Sequence, residues 1–164
     1  MNLKNRFRHV PPVCLLVAVV LLLLGRLRFR RRYVGRVFVI EGQRFRVFRQ
    51  LVLSGTREEA QGSPAVFVVR FKFARFSHDL NRLLSFVPVP LIGGFPGFRH
   101  KLWMVDEDTG CWQGAYEWES AEAVETYRHS LVLRAMIRRA APGSVSSTVI
   151  PQTRLVDYLN SRAV

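Results

Sequence analysis

Hydrophobic positions along this chain follow three patterns, and each change of pattern marks a predicted element. Positions 13–24 form an unbroken apolar run. From 65 to 74, Phe67, Val69, Phe71 and Phe73 alternate with Val68, Arg70 and Lys72, which predicts a strand buried on one side and partly polar on the other. Ser77 is then a helix cap with Asp79 in the first turn, and Leu80, Leu83, Leu84 and Val87 keep helical spacing until Pro88 stops it. Residues 98–105 and 111–118 are rich in strand formers and flank Asp-Glu-Asp-Thr-Gly, so they predict one long β-hairpin, which holds Trp103, Trp112 and Trp118. A second helix begins at the Ser120 cap, with a buried stripe of Val124, Tyr127, Leu131 and Ala135 widened by Leu133, Met136 and Ile137, and Pro142-Gly143 ends it. Residues 145–150 give a last strand, and Leu155, Tyr158 and Leu159 a closing helical turn.

From residue 65 the order is therefore β, α, β, β, α, β, an α+β arrangement. Two helices on one face of a four-stranded antiparallel sheet pack this series most economically, in a ferredoxin-like βαββαβ unit. The other face, bearing Arg70 and Lys72 among bulky apolar side chains, then calls for a partner. The apolar loop 86–95 is expected to cap the core. For 33–53 the pattern leaves two readings open: Glu41-Gly42 between β-prone runs suits a hairpin, and Phe45, Phe48 and Leu51 suit a helix lying on lipid. The polar, turn-rich stretch 54–64 is the natural linker. The expected domains are an N-terminal anchor (1–32), a basic juxtamembrane segment and linker (33–64), and a folded domain (65–164).

The apolar run changes the picture of where this domain sits. Its six Leu and four Val favour insertion by about 3 to 6 kcal/mol on the biological scale. A helix over 10–25 reaches about 24 Å, somewhat short of a ~30 Å hydrocarbon core. No Ala-x-Ala-like site follows, so an uncleaved single-pass transmembrane helix is expected rather than a signal peptide. Arg26, Arg28, Arg30, Arg31 and Arg32 outnumber Lys4, Arg6 and Arg8 on the other flank, which places the domain in the cytoplasm. Of the net charge of +13, residues 1–53 carry 12 basic groups against Glu41, and residues 54–164 carry 13 against 11. The basicity thus belongs to the anchor region and suits anionic lipid. No recognition motif accompanies it, and nucleic acid is not an expected partner. Cys14 and Cys111 form no framework, and the four histidines show no metal-ligand spacing.

The runs Pro-Gly-Phe-Arg-His-Lys-Leu-Trp (96–103), Gly-Ala-Tyr-Glu-Trp (114–118) and Ala-Glu-Ala-Val-Glu-Thr-Tyr (121–127) together resemble the monooxygenase-like branch of the dimeric α/β-barrel superfamily. The resemblance covers about residues 65–150. It implies ferredoxin-like protomers that form a homodimer, sheet against sheet, closing a barrel with a cavity. It also implies a choice of chemistries, from cofactor-free oxygenation of quinol-like aromatics to haem degradation and small-molecule sensing, because a fold alone does not select a reaction.

Cofactor-free oxygenation needs a base or hydrogen-bond donors that hold a substrate anion in a dry aromatic cavity. Lys101, Trp103 and His100 are the candidate catalytic residues, and Arg70, Tyr116 and Trp112 the candidate substrate contacts. Strand alternation puts His100 on the face opposite Lys101 and Trp103; Lys101, Trp103 and Arg70 are expected to point toward the dimer face. The leading expectation is a membrane-anchored monooxygenase acting on a lipophilic aromatic or quinone-like compound, with no cofactor. The alternative is a non-catalytic ligand-binding or interaction module at the membrane, in which the same aromatics are plain hairpin core. A third reading has haem on His100 or His129.

Overall fold

The computed structural model describes residues 10–55 and 63–162. Seven antiparallel strands form one sheet: β1 (Leu27–Phe29), β2 (Val37–Ile40), β3 (Gln43–Leu53), β4 (Ala65–Phe71), β5 (Phe98–Asp106), β6 (Cys111–Trp118) and β7 (Ser146–Ile150). The spatial order is β1-β3-β5-β6-β4-β7, and β2 also lies on β3. The last four of these, β5-β6-β4-β7, have the neighbour order of a ferredoxin-like βαββαβ unit. The predicted hairpin is β5–β6, in register from Phe98↔Trp118 to Asp106↔Cys111, with a shift between Phe98 and His100. Its turn is built by Asp106, whose Oδ1 accepts from the backbone N–H groups of Asp108 and Thr109.

The segment read as lying outside the folded domain supplies three of these strands. β3 pairs with β5 from Arg46↔Val105 to Val52↔His100. The open choice at 33–53 is settled as a hairpin, because Glu41 (φ 52) and Gly42 (φ 79) both take the left-handed conformation of a two-residue β2–β3 turn. Part of the presumed linker, 56–62, lies outside the described residues.

Five helices contribute to the layer over one sheet face: α1 (Pro11–Leu23), α2 (His78–Leu84), α3 (Val89–Gly93), α4 (Ala121–Arg128) and α5 (Leu131–Ile137). Ser77 and Ser120 cap α2 and α4 as predicted. The expected single second helix is two, because Ser130 Oγ accepts from Leu133 N–H and starts a new helix after His129. This resets the helical phase: Leu131 is 59% exposed, and Val132 and Leu133 take the buried positions. The loop 86–95 contains α3 and caps the core with Val89, Ile92 and Phe95.

The second sheet face departs most from expectation. Val66, Val68, Leu102 and Met104 are buried within the chain, under Leu155, Tyr158 and Leu159 of α6 (Leu155–Asn160) and beside Phe38, Ile40 and Phe45 of the β2–β3 hairpin. The hairpin folds over far enough for Glu41 at its turn to pair with Arg70 of β4, and for Val39 N–H to donate to Arg162 O at 3.0 Å. The chain itself therefore covers the face on which a second protomer was expected.

The spanning helix also needs correction. Among the described residues no helix is long and apolar enough to cross a membrane. α1 has 13 residues, about 20 Å, and docks on the domain through Cys14 and Ala18, both fully buried. Contact is possible because α3 ends in glycine: a Cβ at Gly94 would lie 1.8 Å from the Cys14 carbonyl oxygen, and one at Gly93 would lie 2.6 Å from Leu27 Cδ2. The outer face of α1 stays apolar and exposed at Leu15, Leu16, Val19, Val20 and Leu23.

Gly94→Ala should push α1 off the domain, because the obstacle is backbone. Cys14, buried in the parent, should then react with a thiol reagent under native conditions; unchanged protection would refute the close approach. Leu159→Ala should lower stability in urea by about 2 to 5 kcal/mol as a buried large-to-small change. A loss within error of zero would show that α6 does not seal the second face.

Candidate functional site

Alternation along β5 and β6 brings one group of polar atoms into the apolar interior on the helix side. Lys101 pairs with Tyr116 and Trp103 with Gly114 across the hairpin, so all three side chains share a face. The Lys101 ammonium position is 4.1 Å from the Trp103 ring centroid and 4.3 Å from that of Tyr116. The residue is 1% exposed, and its Nζ has no hydrogen-bond partner. Burial above all, and then the nearby Arg49 guanidinium, holds its pKa well below the usual lysine range. The interior thus favours the neutral amine.

Aromatic rings surround this amine. Trp118 lies 4.7 Å from Tyr127 and 6.3 Å from Tyr116, centroid to centroid. Trp118 Nε1 is buried without a hydrogen-bond partner. The Tyr116 hydroxyl lies beside that of Tyr127, and a side-chain hydrogen bond between the two phenols affects the ionisation of each. Burial raises both phenols, so they remain protonated donors. Gly114 makes room for the Tyr116 ring, since a Cβ there would lie 2.7 Å from Tyr116 Cε2. Phe95 packs edge-on against Trp118 and Tyr127 and completes the ring cluster. Each buried polar group left unpaired costs about 1 to 3 kcal/mol. Such a cost at Lys101 and Trp118, beside the Tyr116–Tyr127 phenol pair, marks a candidate site for a ligand that would pair them.

His100 takes part in a different structure, on the opposite face as alternation predicts. The Tyr33 backbone N–H donates to Gln50 Oε1 at 3.1 Å, which fixes the amide so that Gln50 Nε2 faces His100 Nε2 at 3.0 Å. An amide nitrogen only donates, so His100 Nε2 accepts and the ring proton sits on Nδ1. Burial, with a smaller effect from Arg32, lowers the His100 pKa to about 4. His100 is therefore a neutral brace at pH 7. It forms part of the wall of an open cleft of about 780 Å³ that also takes in Arg30, Arg31, Arg32, Tyr33, Gln50, Arg99, Glu117 and Arg154.

The remaining candidates lie apart from both. Arg70 occupies the α6 side, where it pairs with Glu41, donates to Gln113 Oε1 at 2.7 Å and lies over the Phe45 ring. It is thus on the opposite face from Lys101 and Trp103, and the expected trio is split. Trp112 is on the helix side but at the far end of the sheet, stacked on His78 and edge-on to Phe48 and Phe73. His129 is 85% exposed at the α4–α5 break. Sequence alone does not single out Trp118, Tyr127 or Gln50 for a functional role. Trp118 and Tyr127 follow the same alternation and stripe as their neighbours and were open to detection; Gln50 has no local signal.

No protein-family model matches this chain, and no curated protein matches it. Among solved structures it is similar to one described as the structure of Rv0793 from Mycobacterium tuberculosis, with a TM-score of 0.45 and 21% identity, over 54% of this chain and 93% of that one. It is also similar to a crystal structure of an anthrone oxidase-like protein, with a TM-score of 0.46 and 18% identity, over 66% of this chain and 54% of that one. The match thus spans about half the length of the second protein. Likenesses at this level concern backbone arrangement and assign no residue a role.

Proposed function

We propose that the aromatic cluster around Lys101 is the active site of a cofactor-independent monooxygenase for a lipophilic, quinol-like aromatic. The observation that carries this reading is that the Lys101 amine and the Trp118 indole N–H, both buried without a hydrogen-bond partner, lie in one aromatic interior with the coupled Tyr116 and Tyr127 phenols. Lys101 takes the acidic proton of the substrate, and Tyr116 and Trp118 donate to the resulting oxyanion. The anion supplies the electrons that reduce O₂. One oxygen atom enters the product as a carbonyl at an activated ring carbon and the other leaves as water. All of these groups belong to one chain, so the reading needs no residue from a second protomer.

The outer face of α1 supports a membrane-surface setting. Phe29 of β1, next to Phe86, extends the apolar surface of Leu15, Leu16, Val19, Val20 and Leu23. Arg26 and Arg28 follow the helix directly, as expected for a segment lying on the anionic cytoplasmic leaflet, where each basic residue contributes about 1 kcal/mol. The substrate would reach the Lys101 cluster from the bilayer.

Oxygen-electrode assays with a panel of quinols and anthrone-like ketones should show uptake, with Lys101→Met lowering the rate by at least about a hundredfold. In the parent the rate should fall on the acid side, as Lys101 protonates. No uptake with any member of the panel would refute the enzymatic reading.

The buried amine has a separate effect on stability. Its folded pKa lies below the unfolded value of ~10.4, so its favourable contribution is present above that value and is lost as pH falls toward the folded pKa. Lys101→Met should therefore be more stable than the parent at pH 7, and the gap should narrow as pH rises toward ~10. A constant gap in urea midpoints across that range would show the lysine is not buried as a neutral amine. Leu16→Glu combined with Leu23→Glu should abolish co-sedimentation with phosphatidylcholine vesicles; undiminished binding would remove α1 from the membrane reading.

A further inference from the structure

We infer that the open cleft on the His100 side is a binding site for a phosphate-bearing anion carrying more than one negative charge. This inference is independent of the oxygenase reading, since the cleft and the Lys101 cluster lie on opposite faces of the sheet. Five arginines line the cleft: Arg30, Arg31 and Arg32 from the segment after β1, Arg99 from β5, and Arg154 from the start of α6. Among the described residues its one carboxylate, Glu117, already accepts the Leu155 backbone N–H at 2.7 Å. Among the described residues no ion pair joins Arg30, Arg31, Arg32 or Arg99 to an acid. Like charges held around a concave space repel one another, and an anion seated between them relieves this.

The cleft is built by the fold rather than being a fringe of long side chains. Arg30 N–H donates to Gln50 O at 3.2 Å, and Tyr33, buried at 6% exposure, donates its N–H to the Gln50 side chain, which is braced by His100. These bonds hold both ends of the arginine segment on β3. The planar guanidinium presents paired N–H donors that match the oxygens of a phosphate, and several arginines match a diphosphate or a phosphomonoester dianion better than a single carboxylate. The volume of about 780 Å³ suits a small molecule or a headgroup.

A soluble phosphate compound and a phospholipid headgroup share this chemistry, and two measurements on the whole chain separate them. Calorimetric titration with inorganic pyrophosphate reads the soluble source. Co-sedimentation with phosphatidylcholine vesicles, with and without phosphatidic acid, reads the headgroup as the excess binding over phosphatidylcholine alone, which removes any contribution of the apolar α1 face. In whichever arm binds, Arg31→Gln and Arg99→Gln should each weaken binding by about tenfold, the size of one charge-assisted hydrogen bond. Arg134→Gln, on α5 and outside the cleft, should leave it unchanged. Absence of binding in both arms would overturn the proposal, and so would an equal loss with Arg134→Gln, which would show only general attraction to a basic protein.

Discussion

The pairing of β3 with β5 is the contact on which the rest of the molecule depends. It joins the basic N-terminal third to the ferredoxin-like unit along six registered residue pairs, Arg46↔Val105 to Val52↔His100. It also covers what would otherwise be a long exposed edge of β5, and an uncovered edge strand invites pairing with other chains. Three other features follow from it. The β2–β3 hairpin is carried over the second face to meet Arg70, the arginine segment is placed against His100, and β1 brings α1 within reach of Gly93 and Gly94.

Covering both sheet faces from within one chain changes what the aromatic hairpin does. With the α6 side filled by Tyr158, Leu159 and the β2–β3 residues, polar groups on that side are paired, as in Arg70 with Gln113 and Glu41. On the helix side the Lys101 amine and the Trp118 indole N–H remain unpaired among rings, as does Arg82 Nε on α2. The asymmetry puts the cost of buried polarity on the helix side. A buried ammonium without a partner is far more costly than a neutral amine, so burial and aromatic surroundings together set its protonation state.

The unusual charge of the chain is likewise a matter of placement. A run of arginines beside an apolar segment reads as a topology signal when the segment spans a bilayer. Here the segment is a short helix packed on protein, and Arg30, Arg31 and Arg32 turn back along β3 to face Arg99 and Arg154, far away in sequence. The same residues thus change from a membrane flank into one wall of a cleft.

Much of the fold was legible in the sequence because it depends on local physics. Period-two alternation, the Ser77 and Ser120 caps and the Asp106–Gly110 turn each act within a few residues, and they specified the βαββαβ series and the shared face of Lys101 and Trp103. The helix break at Ser130 was locally encoded too, but an apparent continuous stripe concealed it. Tertiary structure decided what depends on distant contacts: that 27–53 joins the sheet, that α6 and the hairpin cover its second face, and that Arg70 is parted from Lys101. An apolar run has the same composition whether lipid or protein covers it. Only the approach of Cys14 to Gly94, across 80 residues of chain, distinguishes a docked helix from a spanning one.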